Sequence, residues 1–330
     1  MNRGLAAPPA IVHRRWISGG ITSNPAMPIY VILAVIFVVS SILSPTFRTA
    51  YNFRNLLVQA VALVIVACAQ TFAILAGDVD LAVGGVISLA TVIAARFMVD
   101  SGGSMLGWSL LILLLGAVIG AVNGVLVYRV RVEAMVITLA TNGALMGLAL
   151  AVLPYPGGSI PYRFMQAVTG EIRGVSIPVV GAALIAVGSW WVLNRSRLGV
   201  HIRAVGADPE TAFRAGIGVE RTKVAAHAIA GLLAAVSGLF LAARFASGDA
   251  ASGVPFSLDS MTAVIAGGAT FASGVGEVWG SVAGACLIVV LGNVFNHLGV
   301  STYYQYLLKG VLLVIAVAGG ALRRKWLEMK

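Results

Sequence analysis

Two carboxylates stand where an apolar chain should carry none. The run Gly77-Asp78-Val79-Asp80-Leu81-Ala82-Val83-Gly84-Gly85 interrupts about forty otherwise apolar residues. A charge at membrane depth costs several kcal/mol unless it faces water or a partner. Broken backbone there survives only when buried in protein or lining a wet cavity. Two readings follow. In one, this is a discontinuous element beside a solute path, with Gly77, Asp80 and Gly84 at the path. In the other, it is a tight cytoplasmic turn with two solvated aspartates.

A second glycine-rich break covers residues 267–280, GGATFASGVGEVWG. Its glycines permit close backbone approach or unusual dihedrals. Paired breaks of this kind point to the substrate region of a transporter, which makes Gly267 and Gly268 candidates for the path. No Lys-Ser/Thr pair follows the glycines, so this is not a phosphate-binding loop. Polar residues inside other apolar runs are Gln70, Asn123, Thr138, Thr141, Asn142, Asn293, Asn296 and His297. Any could bond a hydroxylated solute, and Asn142 and Asn293 are carried as path candidates, although such groups more often bridge helices. The four histidines lack metal-ligand spacing, and no Ser/His/Asp or Cys/His grouping is readable. No metal site and no catalytic residue are expected.

A third feature is a short capped helix in the stretch 195–223. Nine of those 29 residues are charged, against 10% of the whole chain. Asp208 is a good N-cap and Pro209 fits the first helical position. Glu210 complements the positive end of the helix dipole, and Arg214 suits the last turn. Ala215 closes the helix, and Gly216 can take the left-handed position after it. Two turns are too short to be stable alone, so this helix needs a surface. Phe213 is the large apolar side chain it can offer. It is either a loop helix packed on its own protein or a docking knob for a soluble subunit.

The elements that position these features are apolar spans. With 59% hydrophobic residues and mean hydropathy +0.96, the chain reads as an all-α polytopic membrane protein. About ten apolar segments are expected, at 28–43, 55–76, 81–95, 105–128, 134–153, 175–193, 224–243, 258–271, 278–298 and 303–322. A polar loop is expected at 154–174. Ten spans would divide into two five-helix halves of opposite orientation, an inverted repeat. With the N-terminus inside, fifteen Lys and Arg fall on the inner side and six on the outer. That bias puts both termini and the 195–223 loop in the cytoplasm. The expected parts are an N-terminal tail (1–27), a transmembrane domain (28–322) and a basic tail (323–330). No apolar run precedes Ile29, so no cleavable signal peptide is expected. The net charge of +10 is loop-borne and argues for lipid, not nucleic acid, as the surrounding partner. Cys68 and Cys286 lie in apolar segments and read as packing residues. Gly116, Gly120 and Gly124 form a helix-packing stripe.

The run Arg203 to Ile217, followed by Arg221-Thr222-Lys223, resembles the coupling-helix segment of ABC-importer permeases of the ribose/xylose/arabinose class. The first break resembles that family's Gly-Ile-Asp-Leu-Ser-Val-Gly motif, and the second its other glycine-rich motif. Leu298-Gly299-Val300-Ser301 through Lys309-Gly310 resembles its closing segment. Ala82 stands at the family's Ser, Asp78-Val79 where Ile precedes the Asp, and Ser273 at one glycine of the second break. The resemblance covers about residues 28–320. It implies a permease subunit of an ATP-driven sugar importer in a bacterial inner membrane, with no ATPase site of its own. Two permease subunits, this chain with a second copy or a related permease, would form the pore. Cytoplasmic ATP-binding subunits, carrying ATP and Mg, would dock on Asp208–Gly216. A periplasmic sugar-binding protein would deliver the solute. The alternative from the residues alone is an ion-coupled secondary transporter or channel.

Overall fold

The computed structural model describes residues 26–301 and, beyond them, 303–305, 307, 308, 310, 311 and 314. The expected tails lie outside the described residues except for Ala26 and Met27, the latter already in the first helix, as do most positions of the expected span 303–322. The regular structure of the described residues is helical apart from one two-stranded hairpin and an isolated antiparallel bridge between Gly157 and Gly248. The helices are α1 (Met27–Leu43), α2 (Ala50–Leu75), α3 (Ala82–Phe97), α4 (Gly102–Val130), α5 (Ala134–Val152), α6 (Tyr162–Thr169), α7 (Ile177–Arg195), α8 (Arg197–Ala207), α9 (Pro209–Arg214), α10 (Val219–Phe245), α11 (Val254–Ala266) and α12 (Val278–His297). Strands β1 (Glu171–Ile172) and β2 (Val175–Ser176) pair antiparallel. Among the described residues, six helices are long and apolar enough to cross a membrane: α2, α4, α5, α7, α10 and α12. The helices α1, α3 and α11 are apolar but shorter.

Helix starts follow from local chemistry. The Thr49, Ser101 and Ser196 side chains accept hydrogen bonds from the backbone N–H groups of Asn52, Ser104 and Gly199, opening α2, α4 and α8. Proline sits in the first turn of α1, α7 and α11, where its missing N–H costs nothing.

Two expectations change. The 154–174 loop contains α6, which starts directly after Pro161 and ends before the hairpin. The 195–223 stretch holds two helices, not one, and α10 begins inside it. Ser196 opens α8, whose Ile202 and Val205 are fully buried, so this part of the island is packed and not free in solvent.

Burial decides the order of the layers. Every residue of α2 from Ala60 to Leu75 is buried, so α2 is the central post. Along α10, Ala226, His227, Ala230, Gly231, Ala234 and Ala235 are buried against their neighbours. The helices α4, α5 and α7 bury a narrow stripe each and turn Leu, Val and Met outward. That outward face suits lipid, which offers no hydrophobic drive for helix association, so close packing must supply it.

The glycine stripe of α4 does this. A Cβ on Gly120 would overlap the carbonyl oxygen of His227, and one on Gly124 would stand 2.6 Å from Val224 Cα. Gly116 meets the Gly231 backbone in the same way. Gly120→Val is therefore expected to destabilise the chain by about 1–3 kcal/mol or more. Gly107→Ala, on the same helix with no atom within 4 Å of the added Cβ, should be neutral. Thermal unfolding of both variants in detergent checks the contrast.

Candidate functional site

The first break is held from within and by three other helices. It lies between α2 and α3, and its backbone turns at Gly77, where φ is +90°. The Asp80 carboxylate accepts from Ala82 N at 2.9 Å, so it caps the start of α3 from within the break. From α5, the Thr138 hydroxyl accepts from Leu81 N at 3.1 Å and lies 3.1 Å from Val79 O. From α11, Ser257 Oγ donates to Leu81 O at 2.9 Å. From α10, Lys223 Nζ donates to Asp78 Oδ1 at 2.5 Å. One turn further along α10, His227 Nε2 lies 3.3 Å from Asp78 Oδ2 and Nδ1 lies 3.3 Å from Asp80 Oδ2. A carboxylate only accepts, so both ring nitrogens must donate to satisfy both contacts. With an imidazolium, the two carboxylates and two cations sum to zero.

Asp78 is 5% exposed, Asp80 1% and His227 0%. The solvated-turn reading of the two aspartates therefore fails, because their solvent is replaced by a lysine and a histidine of one helix. Sequence reading did not pick out Lys223 or His227 as partners. The signal was present: two basic residues four apart lie on one helix face, and two near-adjacent carboxylates in an apolar chain require a cation.

The other candidates fall in different places. Gly84 packs beneath α11, where the Gly253 backbone meets it directly, and Gly253 N donates to Ser88 Oγ at 3.0 Å. The Asn142 carbonyl oxygen is buried beside Gly84 and Gly85 with no hydrogen-bond partner. Gly267 abuts Gly280, which seats α11 against α12, and Gly268 turns with φ +92°. Asn293 of α12 exchanges two side-chain hydrogen bonds with Asn52 of α2, at 3.3 and 3.0 Å.

Two cavities flank this arrangement. One, of about 740 Å³, is lined by Gln59, Arg244, Asp249, Asp259, Asn293 and Asn296 among others. The second, of about 520 Å³, is lined by Gly77, Asp78, Glu133, Lys223, Met261 and Phe271 among others. Lys223 and Leu241 mark the two cavities on α10, which puts them roughly 27 Å apart at 1.5 Å per residue. The start of α11 packs against the start of α3 at the Gly84–Gly253 contact.

The helix α9 lies at the same end as the second cavity. Asp208 accepts from Glu210 N at 2.9 Å and from the Thr211 hydroxyl at 2.5 Å. The Thr211 hydroxyl, then the backbone N–H groups of Glu210 and Thr211, hold its carboxyl below the usual carboxylate range. A lowered folded pKa means the cap is complete above the ordinary range and is lost only as pH falls through the lowered value. Pro209 is the first helical residue, and Arg214 pairs with Glu210 one turn back. Ala215 ends the helix. Gly216 follows with φ +82°, its N–H bonded to Phe213 O at 2.9 Å, and Ile217 N reaches Ala212 O at 3.0 Å. This is a complete Schellman closure. Ala212 packs with Val205 and Val219, so α9 is seated on α8 and on the start of α10. Phe213 remains 68% exposed.

Residues 52–317 match the family described as the branched-chain amino acid transport system / permease component. The chain belongs to that family. Its relatives include the ribose import permease protein RbsC of Escherichia coli K12, 33% identical over 86% of this chain and 90% of the relative. The D-allose transport system permease protein AlsC of the same organism is 30% identical over 88% and 89%. The galactose/methyl galactoside import permease protein MglC of Salmonella typhimurium is 31% identical over 89% and 94%. No solved structure matches the chain. Family membership makes the chain a transport component, and the buried charges are read in that light.

Removing one member of a buried ion pair leaves the other uncompensated, at a cost of about 3–5 kcal/mol. Lys223→Met and Asp78→Asn should each lower thermal stability by amounts in that range. The double variant should recover part of the loss, and a double-mutant cycle on detergent-purified protein measures it.

Proposed function

We propose that this chain is the membrane-spanning permease subunit of an ATP-driven importer for a sugar or related polyhydroxylated solute, in a bacterial inner membrane. The observation that carries this reading is the length of the match. Permeases named for ribose, D-allose and galactose align with nearly the whole chain. The nine apolar helices of the described residues and the segment 303–322 make ten spans, with α8 and α9 on the cytoplasmic side and both termini there too. The positive-inside bias supports that orientation.

The larger cavity then opens to the periplasm, where a binding protein delivers the solute. Its Gln59, Asn293 and Asn296 amides and its Asp249 and Asp259 carboxylates are groups that bond sugar hydroxyls. The smaller cavity opens to the cytoplasm, and transport alternates between the two across the α3–α11 contact. Gly77 and Asp80 shape the cytoplasmic end of the path, and Gly84 and Asn142 its middle. Gly267 and Gly268 form the joint that lets α11 move, and Asn293 lies at the outer end.

Phe213 inserts into a groove of a cytoplasmic ATP-binding subunit, with Asp208, Pro209, Glu210, Arg214, Ala215 and Gly216 fixing its presentation. ATP and Mg bind those partner subunits, and this chain performs no chemical step. A second copy or a related permease completes the pore.

A second reading has one observation in its favour. The Asp78–Asp80–Lys223–His227 cluster is the kind of buried ionisable group that ion-coupled transporters use. Uptake that survives ATP depletion and collapses with an uncoupler would establish it over the first. For the ATP-driven reading, Phe213→Ala and Gly216→Pro are expected to insert normally yet lose sugar uptake and ATPase co-purification. Normal co-purification with both variants would overturn the docking assignment. Asp80→Asn should lower the transport rate at unchanged expression; a parental rate would remove any role for its charge.

A further inference from the structure

The helix α8 touches both glycine-rich breaks. At its C-terminal end, Gly206 lies against the first break so closely that a Cβ would overlap Leu75 O and stand 3.1 Å from Gly77 N. One turn earlier, Arg203 reaches the second break. Its Nη1 donates to Gly276 O at 2.9 Å and to Gly274 O at 3.3 Å, while Nη2 donates to Asn194 Oδ1 at 2.9 Å. The backbone of Gly274, with φ +63°, sits directly on the Arg203 carbonyl, where a side chain would not fit. Ile202 and Val205 are fully buried, so α8 is packed into the body of the protein. Its Val205 is also the residue on which α9 rests.

We propose that α8 is the transmission arm of the permease and that Arg203 is its positioning residue, tying the 274–276 segment to the arm so that both breaks move as one. This rests on the ATP-driven reading above and adds to it a route and a residue. The mechanical argument is about forks and distances. A guanidinium presents several donors in a fixed plane and can hold two carbonyls and an amide at once, whereas an ammonium cannot reproduce that geometry. The first break opens α3 and the second joins α11 to α12. A displacement of α9 therefore reaches both short helices at the α3–α11 contact, provided Arg203 keeps the second break attached. Without that attachment, α9 still docks and α8 still moves the first break, but α11 is left behind. ATP is then hydrolysed without solute movement.

The test uses the full complex of this permease with its ATP-binding subunits and binding protein in proteoliposomes, measuring ATP hydrolysed per sugar imported. Arg203→Ala should keep ATPase co-purification and basal hydrolysis and raise that ratio about tenfold, the size of an ordinary allosteric coupling. Arg203→Lys should fall between parent and Arg203→Ala, and Asn194→Ala should stay near the parent because both carbonyl contacts remain. Hydrogen exchange on the purified chain supplies a readout free of transport: Arg203→Ala should raise exchange in 270–277 and leave 208–216 unchanged. A parental ratio with Arg203→Ala overturns the proposal, as does loss of co-purification in both Arg203 variants, which would mark a merely structural role. Absence of ATP-driven uptake by the parent complex would instead sink the functional reading, and unchanged exchange in 270–277 would then sink the Arg203 tie on its own.

Discussion

Charge neutralisation in a dry interior is the constraint on which the rest of this structure depends. Asp80 is shut off from water and Asp78 keeps only 5% exposure, at the edge of the smaller cavity, and the backbone between them is not helical. Each carboxylate therefore needs a donor, and each exposed backbone group needs a partner. No single neighbour supplies them. The cations come from α10, the hydroxyls from α5 and α11, and the close backbone contact from α8. A short polar turn thus fixes the mutual placement of four helices. The same stretch of α10 that carries Lys223 and His227 lies backbone to backbone against Gly120 and Gly124 of α4, so it is gripped from a further side.

Local features were legible in the sequence to the extent that their causes were local. The α9 helix is specified within ten residues by a cap, a proline, a flanking ion pair and a closing glycine, and each does what its chemistry predicts. The glycine stripe of α4 was readable for the same reason. What stayed hidden were pairings across long sequence separations. Lys223 and His227 meet carboxylates nearly 150 positions away, and Arg203 meets carbonyls about 70 positions away. Neither pairing leaves a periodic trace. Lys223 in particular was indistinguishable from the basic residues that mark a cytoplasmic loop, since charge counting assigns a side but not a partner. The helix α8 was missed because its charged residues masked a buried stripe of Gly199, Ile202, Val205 and Gly206.

The candidate path residues divide by what the backbone does around them. Gly84 and Gly267 are places where another strand of backbone presses close, so their lack of a side chain serves contact. Gly77 and Gly268 are places where φ is positive, so theirs serves the turn. Asn142 is different from all four. Its carbonyl oxygen has no partner although it sits beside the α3 start. An unpaired buried acceptor carries a desolvation cost that the four glycines do not.

Under the proposed five-plus-five arrangement, the two glycine-rich breaks are not counterparts. The first joins spans two and three; the second joins spans eight and nine, and both lie at the α8 end. The counterpart of the first is the junction of spans seven and eight, residues 246–253, at the opposite end. The helices on either side support the correspondence. The long buried α2, of 26 residues, leads into the short α3, and the long buried α10, of 27 residues, leads into the short α11. The two short helices begin from opposite ends and meet where Gly253 presses on Gly84. Equivalent elements of the two halves therefore meet backbone to backbone at this contact. The second break has no such symmetric role. Arg203 holds it, through the carbonyls of Gly274 and Gly276, on the same helix α8 whose Gly206 abuts the first break.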